Sequence, residues 1–176
     1  MSVVMLSGPI GSGKTTVARE LLAISPPPLC YLEGDTFWSL FAKPDEKPQR
    51  ERFRLLMRSV TAAAIPLARG GYEVLLDFSF PLNFLDTARK ILKEIPLDFV
   101  VLRPSIATCE QRAAARPEGK IADYSVYRDF YAMFEGLPKH EISDDEADAA
   151  SIARRIRAGL DQGVFRLDQT PTAPFA

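Results

Sequence analysis

Gly8-Pro9-Ile10-Gly11-Ser12-Gly13-Lys14-Thr15 is the stretch that decides how this chain is read. It matches G-x-x-x-x-G-K-[ST] in full, with an apolar run before it and a helical pattern after it. Glycines let a backbone curl until several N–H groups face one point, and such a nest holds phosphate oxygens. The following helix adds the positive end of its dipole. In this loop Gly8, Gly11, Ser12, Gly13, Lys14, Thr15 and Thr16 are the expected nucleotide-binding residues. Lys14 is placed to neutralise β/γ oxygens, and the Thr15 hydroxyl is a candidate ligand for Mg²⁺. ATP with Mg²⁺ is the expected pair of cofactors.

Outward from the loop, strands alternate with helices. Residues 3–6 are a short continuous apolar run, the form of a buried parallel strand. Residues 15–24 read as a helix that ends at Ser25 and three prolines. A second strand, residues 29–32, carries Glu33-Gly34-Asp35 at its carboxyl end. A long helix over residues 49–69 stops at Gly70-Gly71, with Pro66 in its last turn. A third strand, residues 72–78, has Asp77 near its end. Then follow a helix at 82–94, a strand at 97–102 and a helix at 106–115.

The polar stretch Arg116-Pro117-Glu118-Gly119-Lys120 interrupts this order. Helices are expected at 123–135 and 144–160, the second with the Ser143/Glu146 spacing of a capping box. Residues 163–167 read as the last strand. The alternation predicts an α/β fold, a three-layer α/β/α sandwich around a mostly parallel five-stranded sheet. Right-handed crossovers then bring the phosphate loop, Glu33-Gly34-Asp35 and Asp77 to one sheet edge. Residues 1–170 are expected to form a single domain, followed by an irregular tail at 171–176.

The formal net charge of -1 carries no electrostatic footprint for duplex DNA or an acidic membrane. Nucleic acid is therefore disfavoured as a partner. No stretch approaches the roughly 18 apolar residues of a membrane span, and the amino terminus has no basic region of a signal peptide. Cys30 and Cys109 read as free thiols in a reducing compartment, so a cytoplasmic location is expected. The oligomeric expectation is a monomer or a homodimer.

With this loop near the amino terminus and an acidic site after the second strand, the sequence resembles the small-molecule kinases of the P-loop superfamily. Gluconate kinase, shikimate kinase, and the chloramphenicol phosphotransferase and zeta-toxin-like group are the nearest in pattern. The resemblance implies a P-loop NTPase fold of the nucleoside-monophosphate-kinase type. It implies an ATP-dependent phosphotransferase acting on a hydroxyl of a small molecule, either a metabolite or an antibiotic-like compound. A regulatory ATPase or switch without a small acceptor is the alternative.

Several roles rest on that resemblance. Asp35 would be the base or hydroxyl-orienting residue, and Glu33 would help hold Mg²⁺ through water. Read from the residues alone, Asp35 is either such a carboxylate or the cap of a short helix. Asp77 closes Glu73-Val74-Leu75-Leu76-Asp77 and is either a Walker-B carboxylate holding Mg²⁺ or loop chemistry at a strand end. A short lid near 116–122 would bring Arg116 to the phosphates as a catalytic cation, and Arg112 would stack on adenine or touch phosphate. Arg112 and Arg116, four apart, would share a helix face. Adenine recognition by the loop at 168–171 is a looser expectation.

The acceptor side is less determined. Phe37, Trp38, Phe41, Phe53, Phe78 and Phe80 give an aromatic-rich region in which Trp38 is the candidate pocket wall. Arg50 and Arg54 share a helix face and are either an anion site or a solvated surface. Tyr124, Tyr127 and Arg128 also follow the lid. An aromatic wall favours a ring-bearing acceptor, whereas arginines favour a carboxylate or phosphate, and sequence leaves both open.

Overall fold

Short β-branched and leucine-rich runs become strands because both of their faces can be covered. The computed structural model describes residues 1–43, 46–117 and 119–168. Five strands, β1 (Val3–Ser7), β2 (Leu29–Glu33), β3 (Glu73–Asp77), β4 (Leu97–Leu102) and β5 (Glu141–Ile142), form a parallel sheet in the order β2-β3-β1-β4-β5. The helices are α1 (Lys14–Ile24), α2 (Gln49–Arg69), α3 (Leu85–Leu92), α4 (Ile106–Ala114), α5 (Arg128–Ala132) and α6 (Ala149–Asp161).

The period-2 alternation of β1 feeds two cores. Val3 and Met5 pack with Val74, Leu76 and Phe99 under α2 and α3. Val4 and Leu6 pack with Leu75 and Val100 under α1 and α6. Each such fully buried aliphatic side chain contributes about 1.5–3 kcal/mol. This is the expected α/β sandwich with an all-parallel sheet. β1 lies between β3 and β4, with Leu6 beside Asp77 and Val100. A loop leaving its carboxyl end therefore emerges where the connections diverge to the two sides, the position at which open α/β sheets bind ligands.

The later part of the chain departs from the sequence reading. The fifth strand is Glu141–Ile142, not residues 163–167. Two residues make too short a run to register as a strand in sequence. Arg103 supports it from the end of β4 by donating from Nε to Glu141 Oε1 at 2.9 Å. Residues 163–167 instead form a turn after α6 that joins the sheet through an antiparallel bridge between Asp98 and Arg166. Residues 123–135 divide into a 3-10 turn (Ser125–Tyr127) and the short α5. The last helix starts at Ala149, capped by Asp148, whose carboxylate accepts from Ser151 N. Ser143 takes no capping role, because its hydroxyl donates to Arg103 O at 2.8 Å. Asp144 accepts from the amides of Glu146 and Ala147, a local turn that replaces the expected first helical turn.

The Asp98–Arg166 pair ties the end of the chain to the sheet. Arg166 donates Nε to Oδ1 at 2.8 Å and Nη2 to Oδ2 at 3.0 Å, a fork on a carboxylate that is only 2% exposed. Arg166→Ala leaves that buried carboxylate without its cation. The variant is expected to lose about 1–3 kcal/mol of stability, since Arg166 is itself partly solvated. Urea unfolding with an unchanged m-value checks this.

Candidate phosphate-binding and acceptor site

The phosphate loop owes its shape to glycine. Gly11 has φ +82, and a side chain there would collide with the Cys109 carbonyl of α4. Gly13, at φ +91, sits in the left-handed region as the N-cap of α1. Gly8 approaches the Leu102 carbonyl just as closely. The loop is thus wedged against the end of β4 and against α4, and at Gly8 and Gly11 only a bare backbone fits.

Lys14 folds back over this loop. Its ammonium donates to the carbonyls of Gly8 and Pro9, each at 3.0 Å, and lies 3.5 Å from the buried Ser12 hydroxyl. Burial lowers its pKa, and the charges of Asp77 and Asp35 oppose that shift. Arg116 acts in the same direction as burial. Three charged groups from three other parts of the chain therefore act on one ammonium. Thr15 is half-buried and Thr16 exposed on the first turn of α1.

Asp77 is 3% exposed at the end of β3. Burial raises its pKa, against the pull of Lys14 and of hydrogen bonds from Thr15 and Tyr31. Tyr31 Oη donates to Asp77 Oδ2 at 3.1 Å. Sequence reading missed Tyr31, since a tyrosine inside a strand looks like core. Glu33 is the register partner of Asp77 on β2 and is half-buried. The Thr15 hydroxyl and the Asp77 carboxylate thus come together, an oxygen donor set suited to a hard cation such as Mg²⁺. Among the described residues no cluster of three or more His, Cys, Asp or Glu offers an all-protein metal cage. An ion held here would share its coordination with phosphate and water.

Asp35 stands in the first turn of a 3-10 helix (Gly34–Leu40) whose N-cap residue is Glu33. It is exposed and is not the cap of that helix. Gly34 is buried against the Phe78 ring, which occupies the space a side chain would need. This contact sets Asp35 beside Phe78. Asp35, Lys14, Arg116, Trp38, Phe53 and Phe78 are among the residues lining a cleft of about 640 Å³ next to the phosphate loop. Ser7 holds the segment after β3 that carries Phe78: its hydroxyl donates to Phe80 O at 2.7 Å and accepts from Phe80 N at 2.9 Å. Nothing in the sequence marks Ser7 for this duty.

The two lid-side arginines reach the loop by different routes. α4 ends at Ala114, so Arg116 lies beyond the helix and the expected shared face is not formed. Arg112, within α4, places Nη1 only 3.7 Å from where a Gly13 side chain would begin. Tyr124 Oη donates to Ile10 O at 2.7 Å and fastens the far end of residues 116–123 to the phosphate loop. Cys109 lies beneath, its thiol pushed up to about 11 by burial and hence unreactive. Of the residues following the lid, Tyr127 lines the cleft and Arg128 does not.

Of the loop at 168–171 expected to recognise adenine, only Asp168 is described. Leu167 N donates to Leu97 O at the amino end of β4, so Asp168 lies at the sheet edge opposite the phosphate loop. Residues 169–171 fall outside the described residues. The segment that follows the last strand at the correct edge is Ser143–Ala147, where Asp145 Oδ1 accepts from Ser105 N at the start of α4. No described helix is long and apolar enough to cross a membrane.

Comparison with known proteins bears on this geometry. No curated protein sequence matches the chain. Among solved structures, a sugar kinase from a Janibacter species superposes with a TM-score of 0.68 at 23% identity, covering 92% of this chain and 95% of that one. The Mycobacterium tuberculosis APS kinase, solved in complex with AMPPNP and APS, gives a TM-score of 0.65 at 22% identity, with 91% and 97% covered. A gluconokinase from Sinorhizobium meliloti gives 0.65 at 19% identity, with 92% of each chain covered. These likenesses establish a fold shared with P-loop kinases. A family model described as an AAA domain matches residues 3–137. That span runs from β1 through the phosphate loop and the cleft to the segment after α5, and on it the chain belongs to the AAA-domain family of P-loop proteins.

Proposed function

We propose that the protein transfers the γ-phosphoryl group of ATP to a hydroxyl of a small molecule. The observation that carries this reading is the single cleft in which Asp35, Lys14 and Arg116 meet beside the phosphate loop. A nucleotide-binding switch without an acceptor has no use for a cavity of that size there. In the proposed reaction the acceptor oxygen attacks the γ-phosphorus, its proton passes to the Asp35 carboxylate, and the bond to the bridging oxygen breaks to release ADP. Lys14 and Arg116 stabilise the charge that spreads over the equatorial oxygens. To do so Lys14 exchanges the Gly8 and Pro9 carbonyls for phosphate oxygens. Arg112, beside Gly13, faces the nucleotide.

Thr15 and Asp77 are the residues that would hold Mg²⁺, with Glu33 reaching it through water. The ion would neutralise phosphate charge. Tyr31 fixes the rotamer of Asp77 by its hydrogen bond.

Lys14→Ala is expected to abolish nucleotide turnover, with a loss of about 10²-fold or more, while circular dichroism stays unchanged. Persistent turnover would remove the assignment. Asp35→Asn is expected to leave ATP affinity intact and lower transfer by about 10²- to 10⁴-fold. Titration calorimetry beside a product assay separates the two. Asp77→Asn tests the metal side. Because the folded-state pKa of Asp77 lies above its ordinary value of 3.8, the folded chain binds more protons in the intervening window, and stability falls as pH rises through it. The penalty is complete above the folded pKa. The neutral variant is therefore expected to melt higher than wild type at neutral pH while losing Mg²⁺-dependent nucleotide binding, as thermal melts with and without MgATP would show.

A further inference from the structure

The same cleft carries information about the acceptor. Its wall is a slab of rings. Trp38 stacks on Phe53 with centroids 6.5 Å apart and an interplanar angle of 17°. Phe53 in turn meets Phe78 at 5.3 Å and the edge of Phe130 at 5.9 Å. Trp38, Phe53 and Phe130 are only partly buried, and all four line the cleft. An open-chain polyol would offer this wall only scattered C–H groups and find few polar partners on it for its hydroxyls. A flat ring would bury apolar area and stack.

The three arginines at the start of α2 are sorted by the fold. Arg52 lies over the Phe41 ring, with Cζ 6.0 Å from the centroid, and Arg54 is exposed; neither lines the cleft. Arg50 lines it, one turn before Phe53. Among the described residues Arg50 forms no ion pair. It stands on α2, an element other than those that carry Lys14 and Arg116. The two sequence clues that pointed to different ligands, an aromatic wall and arginines, are thus two walls of one cavity.

Resting on the kinase reading above, we propose that the acceptor is an aromatic alcohol bearing an anionic group: the ring on Trp38 and Phe53, the anion on Arg50, the hydroxyl at Asp35. Trp38 is the sole tryptophan of the chain and reports directly on this wall. The test is its fluorescence in the full-length protein with AMPPNP bound, titrated with 4-(hydroxymethyl)benzoate, benzyl alcohol and gluconate. The aryl acid is expected to quench saturably and to bind about 5- to 10-fold tighter than benzyl alcohol, the worth of a charged hydrogen bond reduced by solvent screening at the exposed Arg50. Arg50→Gln should erase that advantage without altering benzyl alcohol binding, and Phe53→Leu should weaken both ring compounds. Gluconate binding as tightly as the aryl acid, or no saturable quenching by the aryl acid while AMPPNP binds, overturns the acceptor class and leaves the kinase reading in place. Failure of AMPPNP itself to bind removes both.

Discussion

The parallel pairing of β1 with β3 on one side and β4 on the other is the constraint from which the rest of the structure follows. It puts Leu6 beside Asp77 and Val100, so the chain leaving β1 rises between the ends of two neighbours. The phosphate loop then has β3's carboxylate on one flank and α4's backbone on the other. Gly8 and Gly11 are the sequence's accommodation to that confinement, because the Leu102 and Cys109 carbonyls stand where side chains would be. Any slip of β1 by one residue would exchange its two core faces and rotate the loop away from both.

Charge is distributed around this loop with little slack. Lys14 is half-buried and bonded to two carbonyls, while Asp77 is buried and raised in pKa. The opposite charges partly offset each other's desolvation, but for Asp77 burial still outweighs that attraction. In such a site phosphate oxygens would satisfy Lys14, and a cation would satisfy Asp77. Tyr31 and Ser7 support the arrangement from behind. One holds the carboxylate and the other fixes the loop that carries Phe78 and Phe80. Opposite them, the Tyr124–Ile10 hydrogen bond keeps the lid-side segment attached to the same loop.

The cleft beside this charge cluster has a different character. Its rings come from the 3-10 helix after β2, from α2, from the end of β3 and from α5. The fold is shared with the sugar kinase, APS kinase and gluconokinase structures, while at 19–23% identity the lining of this cleft is free to differ.

Local pattern determined much of this by itself. The phosphate loop is legible because its function depends on backbone shape over eight consecutive residues, and glycines at fixed spacing encode that shape directly. β1 to β4 and α1 to α4 are legible because each buries an apolar face whose period survives in sequence. What lacked a local signal was decided by tertiary structure. β5 is two residues long and exists through its neighbour β4 and the Arg103–Glu141 pair. Residues 163–167 carry a strand-like pattern yet bury Phe165 and Leu167 from a turn that meets β4 at a single antiparallel bridge, too short a pairing to make a strand. Tyr31 and Ser7 matter through contacts 46 and 73 residues away in sequence. Arg50, Arg52 and Arg54 are indistinguishable as a run of alternating arginines. Only the docking of α2, through Phe53, against the Phe78 ring decides which of them turns toward the cleft.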